Sequence, residues 1–414
     1  MTAHYHLDNV TSRRLWNWLL SRQGLADGNH LPSVVSIAEA SLGLHAARLP
    51  SPFTTLAARS TSPCVPMSLL DPDRRQDLLT VRCMRKTLHA LPPTLAAAAH
   101  AATVHFRERD ALRAITNSGH PHRLIDRVTD LLVALLADGQ RLGHREVEVA
   151  LVAAGVDRTA ARLALKLAWE RGQISYLNQT DGWNREVRTF QLADHLTNAG
   201  LTRDEATTTL ITAYFDRYGP ASLADATWWS GLSRAAVVAA LAAADLELVQ
   251  VTTNWSAAPQ FMHQRNLESF RESAGHLHTT GTNLLAHEDV ALKAYHQTRQ
   301  RYLGPLPPAR VFNSIGEALP AIVHDGQVIG TWTWDQQRHE AVCGFARGLT
   351  SPAERQAARA RARRLTAVLR QGLSTAARRA DCPGRPTSLV SPPDARRGLL
   401  QPRRGASAAA TDGC

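Results

Sequence analysis

The order of predicted elements gives an α+β fold: tandem three-helix units, each closed by a β-hairpin, followed by a C-terminal β-barrel-like domain. Three observations carry this expectation. Twice along the chain, three helical patterns precede a strand pattern, which in the first unit turns back as a hairpin. That is the order of a winged helix, in which the third helix enters the major groove of DNA and the hairpin touches the backbone. Beyond about Asn266 the chain changes to β segments separated by turns. Finally, 414 residues with 44% hydrophobic content can bury real cores, and about 150 residues per domain suggests roughly three units.

The elements follow in order. Leu15, Trp16, Leu19 and Leu20 sit at helical spacing within Arg13–Gly24, and Val34, Val35, Ile37 and Ala38 form an apolar helix stopped at Gly43. Leu44–Pro52 reads as a connecting segment, and Leu78–His89 as a strand-rich stretch carrying Arg82, Arg85 and Lys86. Residues 1–118 make up this N-terminal, winged-helix-like region. The next unit, 119–198, opens on a helix whose face is Leu124, Ile125, Val128, Leu131, Leu132, Leu135 and Leu136. A second helix covers His144–Ala154. A third starts at Asp157 as N-cap and stops at Gly172. Strands Ile174–Leu177 and Val187–Gln191 then flank the turn Asp181-Gly182.

In the unit 199–265, Thr202 and Glu205 form a capping box at the start of a helix to Tyr218. Helices Leu223–Trp229 and Ser233–Ala244 follow, then a strand from Leu246. The two units share element order and not sequence. In the β-rich segment 266–372, Ala321–His324, Asp325-Gly326 and Val328–Trp334 form a hairpin signal, and Ala341–Phe345 is a further strand. Ser351-Pro352-Ala353-Glu354 starts a helix reaching about Leu373. The remainder, 373–414, has too little to bury and is expected to be a disordered basic tail.

Composition narrows the function. A net charge of +11 attracts phosphate polymers and anionic membranes alike, and arginine pairs near the C-terminus supply part of it. Five scattered cysteines without C-x-x-C spacing argue against a disulfide framework or a zinc knot, and fit a reducing compartment. The first ten residues hold no apolar signal core, and no stretch approaches a membrane span. The expectation is a cytoplasmic, nucleoid-associated monomer without metal or cofactor. No Walker loop, Rossmann fingerprint, H-E-x-x-H or G-x-S-x-G occurs. Arg158, Arg162 and Lys166 recur every fourth residue on the third helix, a basic face suited to phosphate, although a solvated helix face looks the same. Arg188 lies on the following wing strand. Trp228, Trp229, Trp332 and Trp334 read as packing residues.

Several segments together point to a family. Val34-Val35, Gly43-Leu44-His45-Ala46-Ala47, Pro50 and Arg59 come first; Met84-Arg85-Lys86-Thr87-Leu88-His89 follows. Then come Gly219-Pro220-Ala221-Ser222, Asp225, Trp229-Ser230-Gly231-Leu232, Leu284-Leu285 with Asp289, and Asp325 through Trp332. In this order, from about residue 10 to 370, they resemble the AlkZ/YcaQ-type winged-helix DNA glycosylases, with Lys86 in place of that family's glycine. The resemblance implies duplex DNA as partner and hydrolysis of the N-glycosidic bond of alkylated purines, whose positive charge already weakens the bond.

The family's paired polar motif, Gln-x-Gln or Gln-x-Asp after Gly-Leu, is here His45-Ala46-Ala47. A histidine can accept a hydrogen bond from water or act as a base, whereas alanine can do neither. His45 is therefore the expected catalytic residue, with an acid-side loss of rate as it protonates. Arg48, Arg59, Arg85, Lys86 and His89, with Arg158, Arg162, Lys166 and Arg188, are the expected DNA contacts. The rival readings are a non-enzymatic winged-helix DNA-binding protein or regulator, fed by Ala47, and an RNA- or tRNA-associated protein.

Overall fold

Side chains that satisfy free backbone N–H groups start most helices where their sequence signals stand. In the computed structural model, Asp157 accepts from Thr159 N and Ala160 N at 2.9 and 3.0 Å and begins the helix Arg158–Arg171. Capping boxes Thr202/Glu205 and Ser351/Glu354 open Arg203–Tyr218 and Pro352–Gln371, and Ser233 caps Arg234–Ala243. The structure describes residues 3–374 except 72–73, 75–76, 180, 194–195, 197–199, 245, 274–280, 347 and 349. The basic tail from 375 onward lies outside them.

The element order of the two central segments is as expected. Helices His122–Leu135, His144–Ala153 and Arg158–Arg171 precede the antiparallel strands Ile174–Asn178 and Arg188–Leu192, with Leu142–Gly143 pairing on the latter. Helices Arg203–Tyr218, Leu223–Ser230 and Arg234–Ala243 precede Leu248–Thr253 and Ser256–His263. A strand at His4–His6, which has no pattern signal of its own, adds to the latter sheet in parallel.

The C-terminal sheet is the β-barrel-like element in part. Thr282–Leu284, Ala321–His324, Gln327–Asp335 and Glu340–Phe345 form four antiparallel strands curled into half a barrel. The helix Pro352–Gln371 covers one face in place of further strands, burying Ala358, Ala362, Leu365 and Leu369 against Leu284, Ile322, Ile329 and Trp332. Its end is packed, not free: Trp183 N donates to Gly372 O (2.9 Å), and Leu373 and Ser374 are buried.

The largest element absent from the expected set is the helix Pro93–Ser118. Its buried residues include Ala96, Ala97, Ala98, Ala99 and Ala102, so no clean amphipathic stripe announces it. Small side chains let it approach both Arg158–Arg171 and Arg203–Tyr218, so that one helix carries the two central segments. A buried polar network fixes that junction. Arg107 donates to Glu170 O and Oε2 at 3.0 and 3.1 Å and to His100 Nδ1 at 2.9 Å. Arg82, from the N-terminal sheet, pairs with the same Glu170. Gly172 sits in left-handed backbone (φ 74°) and passes so close to His100 that a Cβ would lie 2.4 Å from its ring. Glu170→Ala leaves two arginines facing a void, one of them fully buried, and is expected to cost about 3–5 kcal/mol. Urea unfolding checks this; a loss under about 1 kcal/mol would mean the network contributes no more than a surface pair.

In the N-terminal region, helices Asn9–Arg22 and Val34–Ala40 agree with the pattern. Two segments differ. Leu44–Pro52, expected to be a connection, is a short strand at Leu44–His45 and the start of helix Pro50–Arg59. The stretch Leu78–His89 is two strands, Leu79–Arg82 and Leu88–Leu91, broken by a tight turn at Met84–Lys86. Arg85 and Lys86 both take left-handed φ, 51° and 60°. The glycine that the resembling motif carries at position 86 suits that conformation better than lysine.

Candidate active site

Gly43 introduces the site. Its φ is +95°, and a Cβ there would stand 2.2 Å from the Leu91 side chain, so the chain can press Leu44–His45 onto Leu88–Leu91 only with glycine at that point. The register sets His45 opposite His89, their rings 5.6 Å apart and edge to face. His89 Nδ1 lies 3.2 Å from Thr87 O and 3.6 Å from Cys83 Sγ. His45 Nδ1 is buried and has no hydrogen-bond partner among the described residues. An orphaned buried polar atom costs about 1–3 kcal/mol, and His105 Nδ1 and His287 Nε2 share this state.

The far wall comes from residues 287–317. His287 lies 6.4 Å from His45, ring to ring. Glu288 is buried with a left-handed φ of 54°; its Oε1 accepts from Ala318 N (2.7 Å) and its Oε2 lies 3.3 Å from Lys293 Nζ and 3.9 Å from Arg85. Lys293 Nζ also donates to Thr87 Oγ1 at 3.1 Å, tying this wall to the strand of His89. Glu317 Oε2 meets Arg48 at 3.2 Å, Asn313 Nδ2 at 2.8 Å and His287 Nε2 at 3.4 Å. A cavity of about 400 Å³ opens beside this wall, lined among others by Arg48, Thr54, His287, Asn313, Trp332 and Trp334.

Burial dominates the electrostatics. It drives the His45 pKa far below its usual value, with Lys293, His89, His287 and Arg85 acting in the same direction. His89 is likewise held well below its usual value, by burial and then Lys293. Both imidazoles are therefore neutral at physiological pH. The expected acid-side loss of rate through His45 protonation does not follow, because that titration is displaced out of the working range. Burial lowers the Lys293 pKa to about 8, against the opposing pull of Glu288. It pushes the Cys83 thiol up to about 11, leaving it an uncharged packing group. At Glu317, burial raises the carboxyl, but hydrogen bonds from Asn313 and Arg48 outweigh it and the pKa is lowered.

The remaining predicted site residues separate into two groups. Arg48 is exposed near His45, and Arg85 packs its guanidinium 3.8 Å from the Trp228 ring centroid and faces Glu288. Lys86 pairs with Asp110 at the surface. Arg158 and Arg162 are exposed and share Glu148 at 2.7 and 3.0 Å, Lys166 on the same helix is half-buried, and Arg188 pairs with Glu186 at 2.8 Å beside Tyr176. These four belong to the central segment and are not brought to His45.

His89, expected to contact DNA, is 2% exposed and packs against His45, and Arg59 is likewise a correction. It is 0% exposed and makes a bidentate pair with Asp289, Nη1 to Oδ2 at 2.9 Å and Nη2 to Oδ1 at 2.7 Å. It cannot reach a phosphate. Instead it clamps the helix that follows His45 to the segment carrying His287 and Glu288. Asp225 has a similar role: buried, it accepts from Ser222 N and Oγ and from His296 N, Gln297 N and Thr298 N.

His287, Glu288, Lys293, Asn313 and Glu317 escaped the sequence reading. A His-Glu-Asp run at 287–289 and a lysine inside an apolar helical turn were the available signals. Among the described residues, no three His, Cys, Asp or Glu side chains are grouped as metal ligands, and no helix is long and apolar enough to cross a membrane.

Comparison with known proteins sets this geometry in context. The family model for AlkZ-like DNA glycosylases matches residues 38–368. Among solved structures, the DNA glycosylase AlkZ of Streptomyces sahachiroi superposes with a TM-score of 0.69 at 23% identity, over 86% of this chain and 96% of that one. No curated protein matches. The fold and the family match together place the chain in the class of DNA glycosylases. It belongs to the AlkZ-like DNA glycosylase family.

Proposed function

We propose that this protein hydrolyses the N-glycosidic bond of alkylated purines in duplex DNA, with His45 holding the attacking water. The observation that carries the reading is a neutral, buried histidine with an unpartnered Nδ1, at the position of the family's polar motif. A neutral imidazole can accept a hydrogen bond from a water near C1′, and positioning of that kind supplies much of the rate in such reactions. Ala47, two residues on, is exposed and small. The leaving base is cationic, so its departure needs little acid assistance. Purified protein incubated with methylated genomic DNA is expected to release free methylated purines. Release of none from any adduct tested would favour a DNA-binding protein without enzymatic activity.

In the same reading, segments 122–192 and 203–263 act as winged helices. Arg158, Arg162 and Lys166 track phosphates from the third helix of the first, and Arg188 does so from its wing. The arginines of the Arg158–Glu148 and Arg162–Glu148 pairs are exposed, and surface pairs of this kind are weak enough to exchange for phosphate. Duplex affinity is expected to fall steeply with salt, and Arg158→Ala with Arg162→Ala should reduce the slope by about two units. A slope unchanged by the double substitution, measured by titration across salt concentrations, would place the DNA elsewhere.

A further inference from the structure

Among the described residues three arginines are buried, and one of them lacks a carboxylate. Arg59 meets Asp289 and Arg107 meets Glu170, whereas Arg301 makes no ion pair. We propose that Arg301, with Arg13, forms a binding site for a phosphate group in the cavity that both line. The inference goes beyond the glycosylase reading and uses none of the residues around His45.

Arg301 stands on the helical turn Gln300–Leu303 and is 2% exposed. Its Nε donates to Thr298 O at 3.2 Å, and its Nη2 donates to Pro220 O at 2.8 Å and to Thr298 Oγ1 at 2.7 Å. Nη1 is buried and has no partner among the described residues. In Arg59 and Arg107 the unpartnered nitrogen is Nε, and Nη1 is bonded to the carboxylate. Asp225 lies one hydroxyl away from Arg301, because Thr298 Oγ1 donates to its Oδ2 at 2.8 Å. The Tyr295 and Trp255 rings stand 3.6 and 4.7 Å from the guanidinium carbon. Their faces attract the charge but offer Nη1 no oxygen. A buried cation without a directly paired anion is costly, and an anion that binds beside it recovers that cost.

The cavity measures about 230 Å³, and besides the two arginines it is lined by the carboxamides of Asn254, Gln300 and Gln327 and by Trp255, with no carboxylate. Its walls come from segments far apart in sequence: the helix Asn9–Arg22, the turn after Leu248–Thr253, the turn Gln300–Leu303 and the strand Gln327–Asp335. Gln327 Nε2 donates to Arg301 O at 2.8 Å and so ties two of them together. Arg13 and Asn254 are exposed, and neither side chain has a partner among the described residues. The exposed side chains at the mouth must shift for an anion to reach Nη1. Two guanidinium forks and three amides approaching one space from several sides suit a tetrahedral oxyanion better than a planar carboxylate. The phosphate belongs either to a DNA strand or to a free phosphate compound.

The test is calorimetric titration of inorganic phosphate, at fixed ionic strength, into the full chain as wild type, Arg13→Ala, Asn254→Ala and Arg301→Gln, with melting temperature measured on each. Wild type should bind at one saturable site, and each arginine substitution should weaken binding about 10-fold or more, as expected for loss of a charged hydrogen-bond donor. Acetate should not compete. Should Arg301→Gln fail to fold, Arg13→Ala and Asn254→Ala, both at exposed positions, decide the matter. Duplex titrations across salt then distinguish the two sources. A salt slope lower by about one unit in Arg13→Ala assigns the site to a DNA phosphate, and an unchanged slope assigns it to a free phosphate compound. No saturable phosphate binding by wild type, or binding that either arginine substitution leaves unchanged, overturns the proposal. None of these readouts depends on base release, so the glycosylase reading stands or falls separately.

Discussion

Replacing His45 by alanine is expected to lower base release by about 100-fold or more, the range for loss of a positioned proton acceptor, while duplex affinity stays within a factor of about two. The separation follows from the position of the residue. His45 is 2% exposed and neutral, so it adds no charge to the phosphate-tracking surface. It does have an Nδ1 that no protein group uses. The substitution also removes that unsatisfied atom, so stability should not fall as it does when a well-paired buried group is lost. Single-turnover excision on DNA carrying methylated adenine and guanine, alongside binding to the same duplex, checks it. Excision that survives His45→Ala would move the water to another group.

Unfolding free energy is expected to drop sharply as pH falls below about 6.5, the unperturbed histidine value. His45, His89 and His100 are all buried with pKa values lowered chiefly by burial, that of His100 to about 4. The sign follows from proton counts. Between about pH 6.5 and 4 the unfolded chain protonates these histidines and the folded one does not, so each proton shifts the balance toward unfolding by about 1.4 kcal/mol per pH unit. Three of them give roughly 4 kcal/mol per unit, against a typical total stability of about 5–15 kcal/mol. Cooperative unfolding should set in between about pH 5 and 4. His100→Gln keeps an acceptor for Arg107 and removes one titrating group, so the slope should fall by about a third. Denaturant titrations at stepped pH read this directly; stability flat from pH 6.5 to 4.5 would show that the imidazoles protonate in place. Above that range excision should lack an acid limb from His45, in contrast to an exposed histidine.

Much of the architecture was legible because it is local. Asp157, Thr202, Glu205, Ser233, Ser351 and Glu354 mark helix starts through contacts within a few residues, and Gly172 ends a helix through its own backbone freedom. The hairpin at Asp325-Gly326 is set by turn chemistry between alternating strands. Position 45 could be singled out because a motif of short span stands in the right order with its neighbours. The long helix Pro93–Ser118 was not legible, because its first half is buried on several sides by alanines that carry no stripe. Nor was the turn at Arg85 and Lys86, where non-glycine residues are held in left-handed backbone by the packing of Gly231 and Trp228 around them.

The sequence by itself determined the family, the helical and hairpin segments, and His45 with its missing partner at 47. Tertiary structure alone decided which charges serve the fold and which face a substrate. Arg59 looks like any other arginine until Asp289, 230 positions away, takes both its nitrogens. His287 comes to 6.4 Å of His45, ring to ring, across 242 positions in the same way. A side chain's charge is a local property, but its solvation and its partners depend on what the fold packs against it, and those contacts have no sequence period to read.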